Sequence, residues 1–86
     1  MTPDMTDSLR PRLRAWIVEN LYEGQAPPGF DDATDLIAEG VMDSLAIMRT
    51  LTQLELAHGV RIEPNDIVPE HFVSVAALAA FVAAKG

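Results

Sequence analysis

A helix with both ends written into the sequence sits in the middle of this chain and restricts what the rest can build. In the run Gly40-Val41-Met42-Asp43-Ser44-Leu45-Ala46-Ile47-Met48-Arg49-Thr50-Leu51-Thr52-Gln53-Leu54-Glu55-Leu56-Ala57-His58-Gly59, Gly40 supplies a turn and Gly59 a stop signal. Asp43 is a strong N-cap, because its short carboxylate can accept from a backbone N–H that has no partner within the helix. Leu45, Met48, Leu51, Thr52, Leu54 and Leu56 recur at mostly helical spacing, so a rod from about Ser44 to His58 is predicted, with Ile47 off its main core stripe. Ser44 then falls in the first turn, where unpaired N–H groups and the positive end of the helix dipole favour an attached anion.

The flanking segments read as further helices laid against this rod. Residues 1–7 lack periodicity and are expected to be frayed. Ser8 is the best upstream cap, since it places Pro11 at the third helical position, where a missing N–H costs nothing. Leu9, Leu13, Trp16, Ile17 and Leu21 follow at steps of three and four and form an apolar stripe, with Trp16 read as core and Gly24 as the end of the helix. Gln25 to Glu39 is a long connection broken by Pro27-Pro28-Gly29. Phe30, Leu36 and Ile37 are expected to pin it down, with Asp35 capping a short turn. Downstream, Gly59 to Ile62 reads as an extended connector with Val60 and Ile62 pointing inward, since no second strand signal exists to pair with it. Pro69 to Phe72 forms one short helical turn, and Ser74 caps a last helix through Lys85 that buries Val75, Leu78, Ala79, Phe81 and Val82. The prediction is an all-α four-helix bundle with a short third helix and a long first loop, spanning residues 1–86 as one domain.

Composition narrows the possible functions. A chain of 86 residues buries only about 60–65% of its unfolded surface, so its stability margin is thin. Without cysteine there are neither disulfides nor thiolate metal sites, which fits a reducing, cytoplasmic setting. His58 and His71 are too few for a histidine metal cluster and read as surface or capping residues, His58 being favourably placed near a helix C-terminus. No apolar run approaches a membrane span, and the N-terminus carries no secretory pattern. Thirteen acidic against six basic residues give a net charge of −7, which disfavours nucleic acid and anionic membranes. The acid is concentrated before Ser44: Glu19, Glu23, Asp31, Asp32, Asp35, Glu39 and Asp43 lie between Arg14 and Arg49, with no Lys or Arg among them. Asp31, Asp32 and Asp35 superficially suggest a cation site, but the alternating oxygen ligands, central glycine and terminal glutamate of a calcium loop are missing.

Ser44 is the residue with chemical interest. It lacks a nucleophile elbow, and His58 lies about 20 Å farther along the same rod at 1.5 Å per residue, which argues against a serine hydrolase. From Asp43-Ser44 alone, a plain exposed hydroxyl in a capped first turn and a modified serine both remain open.

The whole-chain pattern goes further. Asp43-Ser44-Leu45 at a mid-chain helix start is followed by Gly59-Val60-Arg61-Ile62-Glu63-Pro64-Asn65-Asp66-Ile67 and then by Pro69 to Val82. In this order the segments resemble the acyl and peptidyl carrier proteins. The resemblance implies a 4′-phosphopantetheine arm on Ser44, taken from coenzyme A, and a monomer that carries acyl or aminoacyl groups as thioesters without catalysing anything. It also implies partners: a phosphopantetheinyl transferase, an acyl-loading ligase or acyltransferase, and downstream condensing or transfer enzymes. In many fatty-acid carriers the helix after the serine is strongly acidic, whereas here its only charges before His58 are Arg49 and Glu55. Asp43, Leu45, Ile47, Met48 and Arg49 are therefore expected to dock dedicated partners through apolar contacts more than charge. Polyketide, nonribosomal-peptide, fatty-acid and D-alanyl pathways all fit, and the competing class is a non-catalytic helical interaction domain without a prosthetic group.

Overall fold

The structure is a computed structural model that describes residues 5–85, with side chains from Ser8 onward. The described residues form four helices and a single 3-10 turn, without a strand. The helices are α1 (Met5–Leu21), α2 (Ser44–His58), α3 (Pro69–Phe72) and α4 (Val75–Lys85), and the 3-10 turn is Pro64–Asp66. This is the predicted all-α bundle, with its short third helix and long first loop.

Helices α1 and α4 make the heart of the packing. Leu9, Leu13 and Ile17, four residues apart, bury one edge of α1, while Val75, Leu78, Ala79, Phe81 and Val82 bury the facing side of α4, whose small Ala79 permits close approach. Ser74 is the α4 cap the sequence predicts: its Oγ accepts from Ala77 N at 3.1 Å. The start of α1 differs from expectation. The helix begins at Met5 rather than being capped by Ser8, so Pro11 stands inside it. Its ring removes one backbone hydrogen bond, and the buried Leu9 and Leu13 on either side hold the flanking turns in register. Of the stretch expected to be frayed, residues 1–4 lie outside the described residues.

At the other end of α1, Gly24 adopts φ +84° and donates to Val18 O at 2.8 Å, closing the helix as a left-handed glycine cap does. Trp16, Leu21, Tyr22 and Phe30 pack against the core without being fully buried, and Tyr22 meets Phe30 edge-on at 5.4 Å. Leu36 is the true anchor of the long loop, fully buried, whereas neighbouring Ile37, also expected to pin it, is 38% exposed. A turn in which Ala38 N donates to Asp35 Oδ1 at 2.9 Å, the predicted cap, points consecutive side chains in different directions, so only one of the pair can face inward. The loop is also stitched to the far end of the bundle: Leu36 N donates to Val73 O at 2.7 Å and Ala76 N to Asp32 O at 2.9 Å.

Helix α2 differs most from its predicted face. Its buried residues are Ala46, Thr50 and Leu54, with Ile47 and Leu51 partly buried against the core. Leu56, placed by its spacing on the apolar stripe, is 80% exposed, and Leu45 and Met48, on the same stripe but also expected to dock partners, are 70% and 54% exposed. Thr50 is tolerated inside because its hydroxyl donates to Met42 Sδ at 3.8 Å. After α2, the connector buries Val60 and half-buries Ile62. The 3-10 turn is closed by Glu63 N donating to Asp66 Oδ2 at 2.9 Å, and Lys85 Nζ reaches the same oxygen at 2.7 Å. Those two bonds, the Lys85 one foremost, hold the Asp66 carboxyl below its usual range. His71 Nδ1–H donates to Asp66 O at 2.7 Å and its ring stacks on Phe81 at 4.4 Å, so His71 ties α3 to α4 rather than lying free on the surface.

Candidate functional site

The approach to Ser44 hangs from one buried residue. The Leu36 carbonyl accepts from both Val41 N (3.2 Å) and Met42 N (3.1 Å), and Gly40, at φ +79°, makes the reversal that brings those amides back to it. Because Leu36 N is itself bonded to Val73 O, the mouth of α2 is referenced through one residue to the α3–α4 junction. Met42 is buried and locks the last step before the helix.

Asp43 then behaves as the sequence predicts. Its backbone is extended, its Oδ1 accepts from Ala46 N at 2.8 Å, and its carbonyl accepts the first helical bond from Ile47 N at 2.8 Å. Ser44 is the first helical residue and its side chain is exposed. The N–H groups of Ser44 and Leu45 have no carbonyl one turn earlier in the helix to pair with, so they face the mouth with the positive end of the helix dipole behind them. A phosphodiester on the Ser44 hydroxyl fits there: the hydroxyl is accessible, the local backbone offers donors, and the neighbouring Asp43 carboxylate is turned onto Ala46 N. At the other end, Gly59 caps α2 in the left-handed conformation (φ +67°). His58 is partly buried there; burial, and secondarily the Arg12 guanidinium, lower its pKa. The favourable dipole position expected for it is therefore outweighed.

The acidic stretch before Ser44 is used locally. Arg14 Nε donates to Asp32 Oδ1 at 2.8 Å, Asp31 Oδ1 accepts from Ala33 N at 2.9 Å, and Asp35 closes its own turn. The three carboxylates that superficially suggest a cation site are thus committed to one ion pair and two turns. Among the described residues no group of three or more His, Cys, Asp or Glu is arranged to hold a metal ion.

Of the predicted docking residues, Leu45, Met48 and Arg49 share the outer side of α2 with Ser44, Thr52 and Leu56, while Asp43 caps its start. Ile47 does not join them: it packs against the core, because positions 46, 47, 50, 51 and 54 all turn toward the bundle. The seam between α1 and α2 adds residues the sequence reading did not single out for this site. A cleft of about 270 Å³ beside the Ser44 mouth is lined by Asn20, Leu21, Gly40, Val41, Asp43, Leu45, Ala46 and Arg49. A second, of about 430 Å³, continues along the seam between Trp16, Asn20, Met48, Arg49, Thr52 and Gln53. Arg49 lies where the two meet and reaches Asn20 O and Asn20 Oδ1, each at 3.4 Å. No sequence signal marks Asn20, whose role depends on how α1 and α2 cross.

Comparison with known proteins bears on the same residues. The family model described as the phosphopantetheine attachment site matches residues 12–82, most of the chain. No curated protein matches it. Among the described residues no helix is long and apolar enough to cross a membrane.

Proposed function

Because the chain belongs to the phosphopantetheine attachment-site family, whose members are carriers of this prosthetic group, we propose that Ser44 takes the 4′-phosphopantetheine arm, and that the arm carries acyl or aminoacyl groups as thioesters between enzymes of a biosynthetic pathway. The observation that supports this most is the exposed Ser44 at the first position of a helix capped by Asp43, inside the matched segment. Carriers of this family are typically non-catalytic, and the reading asks little chemistry of the chain. A transferase joins Ser44 Oγ to the pantetheine-side phosphorus of coenzyme A, the pyrophosphate bond breaks, and the adenosine bisphosphate half leaves. The hydroxyl proton passes to a base of the transferase. Ser44 needs only access and a backbone that accommodates the phosphodiester, which the mouth of α2 supplies.

The partners in this reading are a phosphopantetheinyl transferase, an acyl-loading ligase or acyltransferase, and a condensing or transfer enzyme of a polyketide, nonribosomal-peptide, fatty-acid or D-alanyl pathway. The cytoplasm, home of coenzyme A and fitting a cysteine-free chain, is the proposed compartment. Leu45, Met48 and Arg49 on the outer face of α2 supply their docking surface, with apolar area outweighing charge. The test is intact mass after incubation with coenzyme A, magnesium and a broad-specificity transferase. One added phosphopantetheine is expected, absent in Ser44→Ala. No gain, or a gain that survives that substitution, would refute the reading and leave a plain helical interaction domain.

A further inference from the structure

We propose that the arm on Ser44 folds back into the seam between α1 and α2, with its thiol end beside Trp16, rather than standing free in solvent. This rests on Ser44 being the attachment residue. The first support is continuity. The cleft at the mouth of α2 includes Asp43 and Leu45, the residues on either side of Ser44, and it shares Asn20 and Arg49 with the second, more open cleft that reaches Trp16, Thr52 and Gln53.

Reach agrees. The arm has about fourteen bonds from Ser44 Oγ to sulfur, the backbone equivalent of about five extended residues, or about 17 Å. The helical rise from Ser44 to Gln53 is about 14 Å. The lining also matches the order of groups along the arm. Its dimethyl carbon comes first, opposite Leu21, Val41 and Leu45. Its two amides follow, opposite the Asn20 amide, the Arg49 guanidinium and the Gln53 amide, which can donate to their carbonyls. The ethylene-thiol end falls between Trp16 and Met48. Arg49 is also the first cation after Arg14 in an otherwise acidic stretch, and its contact to Asn20, long and exposed, is easily exchanged for a contact to the arm.

The composition makes the test unusually clean. The chain has no cysteine and one tryptophan, so the arm's sulfur is the only thiol of the loaded protein and Trp16 the only indole. The transferase-loaded chain, verified by intact mass, is treated with an aromatic disulfide, and the thiol reaction rate is compared with that of free pantetheine; Trp16 emission is recorded before and after loading. An arm docked two-thirds of the time reacts about threefold more slowly than a free one, and loading shifts Trp16 emission. Thr52→Phe fills the second cleft from an exposed position without changing charge, so it restores the free rate and abolishes the emission shift while the melting temperature holds. Arg49→Ala weakens protection in the same direction. A loaded chain whose thiol reacts at the free rate with Trp16 unmoved overturns the inference but leaves the attachment reading intact. Protection that persists in Thr52→Phe, or that appears only when a partner enzyme is added, overturns it as well, the latter assigning the seam to the partner. Absence of any mass gain removes the attachment reading and this inference with it.

Discussion

Replacing Asp43 separates the two things this residue can contribute at the mouth of α2, a hydrogen bond and a charge. Asp43→Ala deletes the 2.8 Å bond from Ala46 N and leaves that N–H to water. Capping bonds of this kind are worth about 1 kcal/mol, with a range of roughly 0.5–2. Helix α2 fully buries only Ala46, Thr50 and Leu54, so little packing is available to compensate, and a loss of about 1–1.5 kcal/mol is expected. In a domain of this size each kcal/mol moves the melting temperature by about 4–8 °C, which puts the drop at about 4–12 °C. Asp43→Asn keeps an equally good cap and should remain within about 0.5 kcal/mol of the native chain. Urea denaturation with unchanged m-values, run beside thermal melts, measures both. Equal losses in the two variants would show that the carboxylate charge, not the capping bond, holds the helix start. A loss below about 0.3 kcal/mol in Asp43→Ala would show that the cap is dispensable.

Two further substitutions probe α2 from opposite sides. Leu54→Ala, at a fully buried position, should cost about 2–5 kcal/mol, whereas Leu56→Ala, 80% exposed, should stay within about 0.5 kcal/mol; comparable costs in denaturant melts would mean that α2 is rotated from the orientation described. His58 gives a pH test. Its pKa in the folded chain lies below its ordinary value of about 6.5, so the unfolded chain takes up the proton more readily, and the His58 contribution is complete above that value and declines as pH falls below it. The stability difference between the native chain and His58→Gln should therefore shrink or reverse between neutral pH and mildly acidic pH, and a difference that stays constant across that window would refute the assignment.

The parts of this fold legible in the sequence are those fixed by local backbone chemistry. Asp43, Gly59 and Ser74 each act within a few residues of themselves, as N-cap, left-handed C-cap and N-cap, and each does so in the structure. The buried face of α4 was equally plain, because almost all of that helix is apolar and its large residues fall on one side. What failed was the choice between two apolar faces of α2. Leu45, Met48 and Leu56 carry as regular a spacing as Ala46, Thr50 and Leu54, and periodicity alone cannot say which stripe meets the bundle. A buried threonine paired with Met42 Sδ is a tertiary event without a local signature. Pro11 misled for a related reason: local chemistry puts it in a first turn, and packing of Leu9 and Leu13 carries the helix past it. Of the site, Ser44 and its cap were visible, whereas the seam formed by Trp16, Asn20 and Arg49 depends on how α1 and α2 cross.

The central claim, that Ser44 is where the arm is attached, is met most directly by locating the modification within the chain. Because no Lys or Arg lies between Arg14 and Arg49, trypsin releases residues 15–49 as one peptide, in which Tyr22, Thr34 and Ser44 are the only hydroxyls. Ser8 and Ser74 fall in other peptides. Fragmentation of that peptide from the transferase-treated chain should place a single phosphopantetheine on Ser44. An arm on Thr34, on the Ser8 or Ser74 peptide, or on no peptide at all would contradict the account.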